Sequence, residues 1–167
     1  MATDKITISR IGFGQVEPNH LSAQRNGQVY AQLPCADTIK VLENGQFVKY
    51  DYANGEVNFN GAGEWMLVMN EVKLYDGLRE TTKDFALQAT NFDNGIMVPR
   101  VFATHCGDIF TTNCLEKAGA KGAKTTGTEA LAVGDELKIN AEGFLSVNGT
   151  SAIVFQIVKI YTMPDGQ

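Results

Sequence analysis

One histidine and two cysteines make up the residue group whose chemistry comes nearest to a metal site. His105-Cys106 is followed by Cys114, and imidazole and thiolate are the usual ligands of zinc. Zinc needs three or four such ligands at recognisable spacing, but the chain has no Cys-x-x-Cys and its other histidine is the distant His20. The ligand set falls short, so two buried thiols and a surface histidine are the favoured interpretation.

The same residues contain the parts of a cysteine nucleophile. Cys106 or Cys114 would have to contact His20 in space, and a third group would have to orient the imidazole. Nothing in the sequence requires that contact, so buried thiols are again favoured. With Cys35 the cysteine count is odd, which leaves at least one free thiol in a monomer and is typical of a reducing compartment.

Two further patterns resemble ligand sites but lack essential parts. Gly12-Phe13-Gly14 is too short for a phosphate loop and no Gly-Lys-Ser/Thr follows it, so a flexible break is expected there. Acidic residues in or beside turns lack the spacing of a calcium loop and are expected to be solvated. They are Asp51, Glu56, Asp108, Asp135 and Glu136. No cofactor and no metal is therefore expected.

Composition sets limits on the protein class. A chain of 167 residues with 44% hydrophobic residues can form one domain, or two small fused lobes, around a core of its own. The net charge of −5 argues against sequence-independent binding to nucleic acid, which needs basic surface. No apolar run approaches the ~20 residues of a membrane span, and the N-terminus lacks the apolar core of a signal peptide. A cytoplasmic site of synthesis is expected.

The elements that must position these residues are mostly strands. Glycine-containing turns separate runs rich in Val, Ile, Tyr and Phe, which predicts an all-β protein with at most one short helix. Residues 78–87 fit two helical turns or a strand. Asn54-Gly55 predicts a type I′ hairpin turn, a parity shift near Asn70 predicts a bulge, and the small residues of 117–128 predict a mobile surface loop. The predicted strands are 6–11, 28–33, 39–42, 47–50, 57–59, 65–75, 96–98, 137–139 and 153–161.

Three blocks of sequence return in the same order, which predicts two related small β-barrel or sandwich-like units in a pseudo-repeat. The blocks are 27–30 with 107–110, 45–55 with 134–143, and 72–75 with 158–161. The second copy of the middle block is one residue shorter, so a bulge must absorb the difference, and chance likeness between hairpin patterns stays open. The predicted organisation is an arm at 1–24, a first β unit at 25–76, a connector at 77–104 and a second β unit at 105–167.

Aromatic residues are dense in the first unit, and at strand spacing they are more often core residues than contacts. Tyr52 is the exception, because it stands next to a hairpin turn, where a large ring is hard to bury. Tyr52 is therefore the candidate surface anchor of this unit.

Several segments resemble known virion proteins. Residues 41–51 with Ala53-Asn54-Gly55, and residues 131–137 with 142–145, are similar to a hairpin of capsid decoration proteins of tailed bacteriophages. Residues 8–20 and 158–167 resemble a family of small phage virion proteins common in phages of gut bacteria. The resemblance covers most of the chain and transfers no catalytic motif. It implies a head-associated structural role and no enzymatic activity.

The function expected from this resemblance is that of a decoration or cement protein on the outer surface of a phage capsid, where it stabilises the shell. The expected partners are the major capsid protein, sister copies of the chain, or both, without nucleic acid or membrane, and a homo-oligomer is among these options. Assembly would take place in the bacterial host cytoplasm. The tentative contact residues are Ile6, Ile8, Ile11, Phe13 and Tyr52.

Three other functions stay open at this point. One is another virion part, in a tail, baseplate or head fibre. The second is a small β-barrel module that binds carbohydrate or peptide, and the third is an enzyme with an unrecognised site.

Overall fold

The protein is built of short antiparallel strands. A computed structural model describes residues 12, 14–17, 29–70, 73–74, 83–84, 86–91, 94–116 and 131–161. In these residues one 3₁₀ turn, Ala89–Asn91, is the sole helical element, and no helix is long and apolar enough to cross a bilayer. The prediction of an all-β fold is confirmed.

Fourteen strands are present in the described residues, and most are two to four residues long. In chain order they are β1 Val16–Glu17, β2 Val29–Gln32, β3 Val41–Leu42, β4 Phe47–Asp51, β5 Glu56–Asn58, β6 Trp65–Val68, β7 Lys73–Leu74, β8 Lys83–Asp84, β9 Leu87–Gln88, β10 Arg100–Ala103, β11 Thr111–Thr112, β12 Glu136–Ile139, β13 Leu145–Ser146 and β14 Val154–Gln156.

The central sheet has five strands in the order β2-β10-β6-β4-β5, all antiparallel. Its middle strand, β6, is covered on both faces, which is why its sequence is a continuous apolar run without the alternation of a half-exposed strand. Met66 and Val68 pack into one core, and Trp65 and Leu67 pack into another. The sheet therefore separates two hydrophobic clusters.

The first cluster lies between the central sheet and the segments 33–42 and 86–97. Its buried residues are Cys35, Ile39, Leu42, Val48, Val57, Met66, Val68, Leu87, Ala89, Met97 and Val101.

The second cluster lies between the central sheet and a three-stranded sheet of order β13-β12-β14. Three phenylalanines from different elements meet there, with ring centroids 5.3 Å apart for Phe47 and Phe155, 6.3 Å for Phe47 and Phe110, and 5.5 Å for Phe110 and Phe155. Phe47 is fully buried. These rings join the two sheets.

The middle block of the predicted repeat has matching strand connections in its two copies. Strand β4 lies between β5 and β6, and β12 lies between β13 and β14, with every pair antiparallel. The registers correspond, because Phe47 at the start of β4 faces Leu67 and Glu136 at the start of β12 faces Gln156. The N–H of Gly45 donates to the carbonyl of Val68 at 2.9 Å, and that of Gly134 to the carbonyl of Ile157 at 2.7 Å. We call β5-β4-β6 and β13-β12-β14 the first and second three-stranded units.

The other two blocks have no such counterparts. Residues 73–74 pair with β8, whereas 158–161 are outside any strand. Residues 29–30 belong to β2, whereas 109–110 are irregular. The pseudo-repeat of two whole units is not confirmed.

Three local predictions are wrong. The loop between β4 and β5 has four residues, 52–55, and not the two of a type I′ turn, because the Asp51 carboxylate binds the backbone of the turn. The predicted strand 96–98 is not formed; the strand lies after Pro99 instead, as β10, and it enters the central sheet between β2 and β6. No bulge marks Asn70, since β6 ends at Val68; the register shift lies at Val101 and Phe102.

Other expectations are met in part. The segment 78–87 contributes strands β8 and β9 where it is described, and the closing strand 153–161 is a strand only over β14. The predicted loop 117–128 and the predicted strand 6–11 lie outside the described residues. The division into arm, two units and connector stays a prediction, although β10 falls within the proposed connector.

Candidate interaction surface

The exposed tip of the β4–β5 hairpin is organised by one carboxylate. Asp51 Oδ1 accepts hydrogen bonds from the N–H of Ala53 at 3.0 Å and of Asn54 at 3.4 Å. Its Oδ2 accepts from the side-chain amides of Asn54 at 3.1 Å and Asn58 at 3.2 Å. These bonds, the one from the Asn54 side chain above all, lower the pKa of Asp51 below its usual value. The turn is therefore fixed by its own sequence.

This tip presents an aromatic side chain to solvent. Tyr52 is 63% exposed, and its ring stands edge-on to that of Tyr50 with 4.8 Å between the centroids. Tyr50 itself packs against the first cluster, and its carbonyl accepts the N–H of Gly63 at 2.9 Å. The Tyr52 ring thus rests on an anchored neighbour while one side stays open to a partner.

The other predicted contact residues are not placed. Ile6, Ile8, Ile11 and Phe13 lie outside the described residues. Residues 14–17 in the middle of the arm are described, however, and hydrogen bonds attach them to the rest of the protein. Gly14 is buried and donates its N–H to Glu43 Oε2 at 3.0 Å.

The next residues extend this attachment. The N–H of Gln15 donates to Asn113 Oδ1 at 2.7 Å, and Thr112 Oγ1 donates to the Gln15 carbonyl at 2.7 Å. Val16 and Glu17 pair with β11. The flexible break expected at Gly12-Phe13-Gly14 is therefore wrong for Gly14, because the absence of a side chain lets the backbone lie directly against Asn44.

The turn beneath the arm is the site that sequence reasoning missed. Glu43, Asn44 and Gln46 are buried although Glu-Asn-Gly-Gln has the composition of a solvated turn. Gln46 Oε1 accepts the N–H of Glu43 at 3.0 Å, and Asn44 Oδ1 accepts that of Asn70 at 2.7 Å. Nothing in the local sequence distinguishes this turn from an exposed one, since its covering residues come from remote parts of the chain.

The thiols do not gather into a reactive centre in the described residues. Cys35, Cys106 and Cys114 are all free, and only Cys106 is exposed. The expectation that Cys106 is buried is wrong, because it lies in a surface turn with Gly107. Burial raises the pKa of the Cys35 thiol to about 12, and burial followed by the charge of Glu43 raises that of Cys114.

The described residues bring no further metal ligand and no catalytic partner to His105 or the cysteines. His105 is exposed, and its Nδ1 lies 3.8 Å from Asp108 Oδ2. No group of three or more His, Cys, Asp or Glu side chains suited to a metal occurs in the part of the chain that is described. His20 lies outside it.

The turn carboxylates serve their own turns. Besides Asp51, Asp108 Oδ2 accepts the N–H of His105 at 2.7 Å, and Asp135 Oδ2 accepts that of Ala132 at 2.8 Å. The prediction of solvated turn carboxylates did not include these hydrogen bonds within the turns. The three carboxylates act as internal acceptors that hold loop shape.

Exposed apolar side chains concentrate on the segment that includes β14, which is a second feature missed at the sequence level. Val154, Val158, Ile160 and Tyr161 are all exposed there. Residues 153–158 are apolar except for Gln156, so the sequence does not show which side chains face solvent. That depends on the sheet that covers the other set.

Comparison of the chain with protein-family models, with curated proteins and with solved structures finds no match.

Proposed function

We propose that this protein is a non-enzymatic virion structural protein that binds the outer surface of a phage capsid as a decoration or cement protein. The resemblance of residues 41–51 with 53–55, and of 131–137 with 142–145, to capsid decoration proteins, and of 8–20 and 158–167 to small phage virion proteins, supplies the class of partner. The structural observation that carries the proposal is Tyr52, a largely exposed ring on a hairpin tip that the Asp51 hydrogen bonds hold in shape.

A preformed aromatic tip suits adhesion to a lattice. Tyr is enriched among the residues that dominate protein interfaces, and a fixed tip loses little conformational entropy on binding. Many copies on one shell would multiply weak contacts, and a ligand that binds only the assembled state stabilises that state by mass action.

The arm adds a second proposed contact. Because residues 14–17 are fixed to β11 and Glu43, the eleven residues before Gly12 start from a defined point on the domain. We place Ile6, Ile8 and Ile11 on the capsid or on a sister copy. Removing residues 1–11, while leaving the anchored residues in place, should lower retention on heads without unfolding the protein.

The main experiment measures rebinding to purified heads from which the protein has been stripped. Tyr52→Ala should weaken binding about tenfold or more, the size of a modest interface hot spot. Tyr52→Phe keeps the ring and should bind nearly as well as the wild type. Val98→Ala, at an exposed site in another segment, is the matched control and should have no effect.

The count of copies in purified virions separates this proposal from other virion roles. Hundreds of copies on the head support decoration, whereas a handful assigns the protein to a tail, baseplate or head fibre. If Tyr52→Ala binds heads as tightly as the wild type, the hairpin tip is not a contact. A failure of the wild type to bind heads at all would overturn the function.

A further inference from the structure

Among the described residues, the three-stranded sheet ends at β14, and no further strand pairs with it there. The backbones of Phe155 and Ile157 are directed toward β12, since Phe155 faces Leu137 and Ile157 exchanges hydrogen bonds with residues 134 and 135. Alternate residues of a strand direct their N–H and C=O groups to opposite sides. The groups of Val154, Gln156 and Val158 therefore point away from β12, where the described residues place no strand.

Two other sheet edges are covered by the chain itself. At β5, the N–H of Ala36 donates to the carbonyl of Val57 at 2.9 Å, and the N–H of Val57 donates to the carbonyl of Pro34 at 2.8 Å. At β13, the N–H of Glu116 donates to the carbonyl of Leu145 at 2.9 Å. Folded proteins commonly protect edges in this way, and β14 departs from that practice.

In the first three-stranded unit, the position that corresponds to the outer side of β14 is occupied. Strand β6, which corresponds to β14, pairs on its far side with β10, and the two are antiparallel. Phe102 faces Leu67 in that pair, and Leu67 is the counterpart of Gln156. The edge of β14 in the second three-stranded unit thus has the geometry to accept one more antiparallel strand.

The chemistry of the open edge favours a partner over water. Val154, Val158 and Ile160 are 46%, 65% and 52% exposed. Lys159 is the one charged residue in the segment 151–161, although edges left open to solvent usually carry charge or proline. An apolar edge with one charged residue, whose outward backbone groups are unpaired within the described part of the chain, is suited to strand addition.

We propose that the edge of β14 pairs with the β14 edge of a second copy, in an antiparallel arrangement about a two-fold axis at Gln156. A two-fold axis makes identical strands antiparallel, as β6 and β10 are. In this register Val154 of each copy lies opposite Val158 of the other, so the exposed valines pair. The two Lys159 side chains are then six residues apart along the strand, roughly 20 Å, so they do not oppose each other.

The pairing is expected to be weak for free protein. It adds only a few main-chain hydrogen bonds and two valine pairs, far less surface than a permanent dimer buries. We expect a concentration-dependent dimer with a dissociation constant in the micromolar range or above. This inference does not depend on the proposed function, since it concerns the purified protein alone.

Sedimentation equilibrium over a concentration series tests the dimer. Val158→Lys puts a charge opposite Val154 of the other copy, on both sides of the axis, and should shift dissociation to concentrations at least tenfold higher. Val98→Lys makes the same substitution at a residue of 41% exposure outside the edge and should leave the dimer unchanged. Circular dichroism of each variant establishes that it is folded before the comparison is made.

Cysteine cross-linking tests the register. In a Cys106→Ser background, which removes the exposed native thiol, Gln156→Cys should form a disulfide-linked dimer, because opposed residues of a hydrogen-bonded antiparallel pair have a Cα separation near 5.5 Å. Val154→Cys should not, since in this register it faces Val158.

Three outcomes would overturn the inference. They are a wild type that stays monomeric at millimolar concentration, a dimer that Val158→Lys does not weaken, and cross-linking of the two cysteine variants to equal extent. A wild-type monomer that still decorates heads would assign the edge to the capsid protein and refute self-pairing while leaving the proposed function intact. A dimer that fails to bind heads would refute the function alone.

Discussion

Two segments with nearly the same local structure, 45–55 and 134–143, differ in what surrounds them. In both, a side-chain oxygen at the end of the first strand caps the hairpin. Asp51 Oδ1 accepts the N–H of Ala53 at 3.0 Å, and Asn140 Oδ1 accepts the N–H groups of Glu142 and Phe144 at 2.9 Å. Local sequence is enough to build this turn twice.

In the first segment the glycine at the start is crowded and the one at the end is open, whereas in the second segment the opposite holds. Gly45 and Gly134, both of positive φ, begin the segments, but a Cβ on Gly45 would lie 2.5 Å from Thr112 Oγ1, whereas one on Gly134 would meet nothing within 4 Å. At the other end Gly55 is open, and a Cβ on Gly143 would collide with the carbonyl oxygen of Phe47.

The two crowded glycines have different neighbours. Val16, Thr112 and Cys114 surround Gly45, whereas Gly143 is crowded because the tip of the second hairpin docks on the turn before β4. The N–H of Phe47 donates to the carbonyl of Gly143 at 2.7 Å, and Gln46 Nε2 donates to the carbonyl of Glu142 at 2.6 Å. One tip is thus used inside the protein, while the equivalent tip, with Tyr52, remains available outside. Two similar hairpins therefore have different roles: one holds the two sheets together, and the other is exposed for a contact with a partner.

The largest effect is expected from Phe47, the residue at which the two segments meet. Phe47→Ala should destabilise the protein by about 3–5 kcal/mol, the usual cost of removing a fully buried aromatic ring. Urea denaturation followed by fluorescence measures it. A loss below about 1 kcal/mol would mean that the two sheets do not depend on this ring.

Glycine substitutions at the two tips test the reversal directly. Gly143→Ala adds a collision with Phe47 to the strain of a positive φ, so we expect about 2–4 kcal/mol of destabilisation. Gly55→Ala carries only the conformational strain and should cost about 1 kcal/mol. Equal costs in the same denaturation assay would contradict the docking of the second tip.

The amide of Gln46 offers a gentler disruption of the same joint. Gln46→Ala removes the bonds to Glu43 and Glu142 and leaves a buried N–H without its acceptor, which should cost about 1–3 kcal/mol. Gln32→Ala, at an exposed position on β2, is the matched control and should stay within about 0.5 kcal/mol of the wild type. A similar loss in both variants would leave the joint without a role in stability.

The smallest of these effects is expected from low pH, which should destabilise the first hairpin tip and not the second. Folding lowers the pKa of Asp51 below its usual 3.8, so its carboxylate contributes stability above that pH, and the contribution is lost as pH falls through the folded value. Asp51→Asn supplies the side chain of the second hairpin, which has no such titration. The melting temperature of the wild type should fall more than that of Asp51→Asn between pH 5 and pH 3, and parallel curves would contradict this assignment.

The sequence predicts what depends on neighbouring residues and fails where distant ones decide. Glycine turns, the strands that follow them and the Tyr52 position were all predictable from spacing. The burial of Glu43 was not, because Gly14, which donates its N–H to the Glu43 carboxylate, lies 29 residues earlier in the chain. The sequence predicts a strand before Pro99, but β10 starts directly after it, where no ladder hydrogen bond is needed from the proline nitrogen. The open edge of β14 required knowledge of the whole sheet order.

The anchoring of residues 14–17 also has a consequence for synthesis. Gln15 bonds to Asn113, 98 positions later in the chain. At ribosomal speeds of about 5–20 residues per second, the nascent N-terminal segment waits roughly 5–20 s before its partner has been translated. Residues 14–17 thus leave the ribosome well before they can take their final place, and a chaperone or an already finished subunit has that interval in which to capture them.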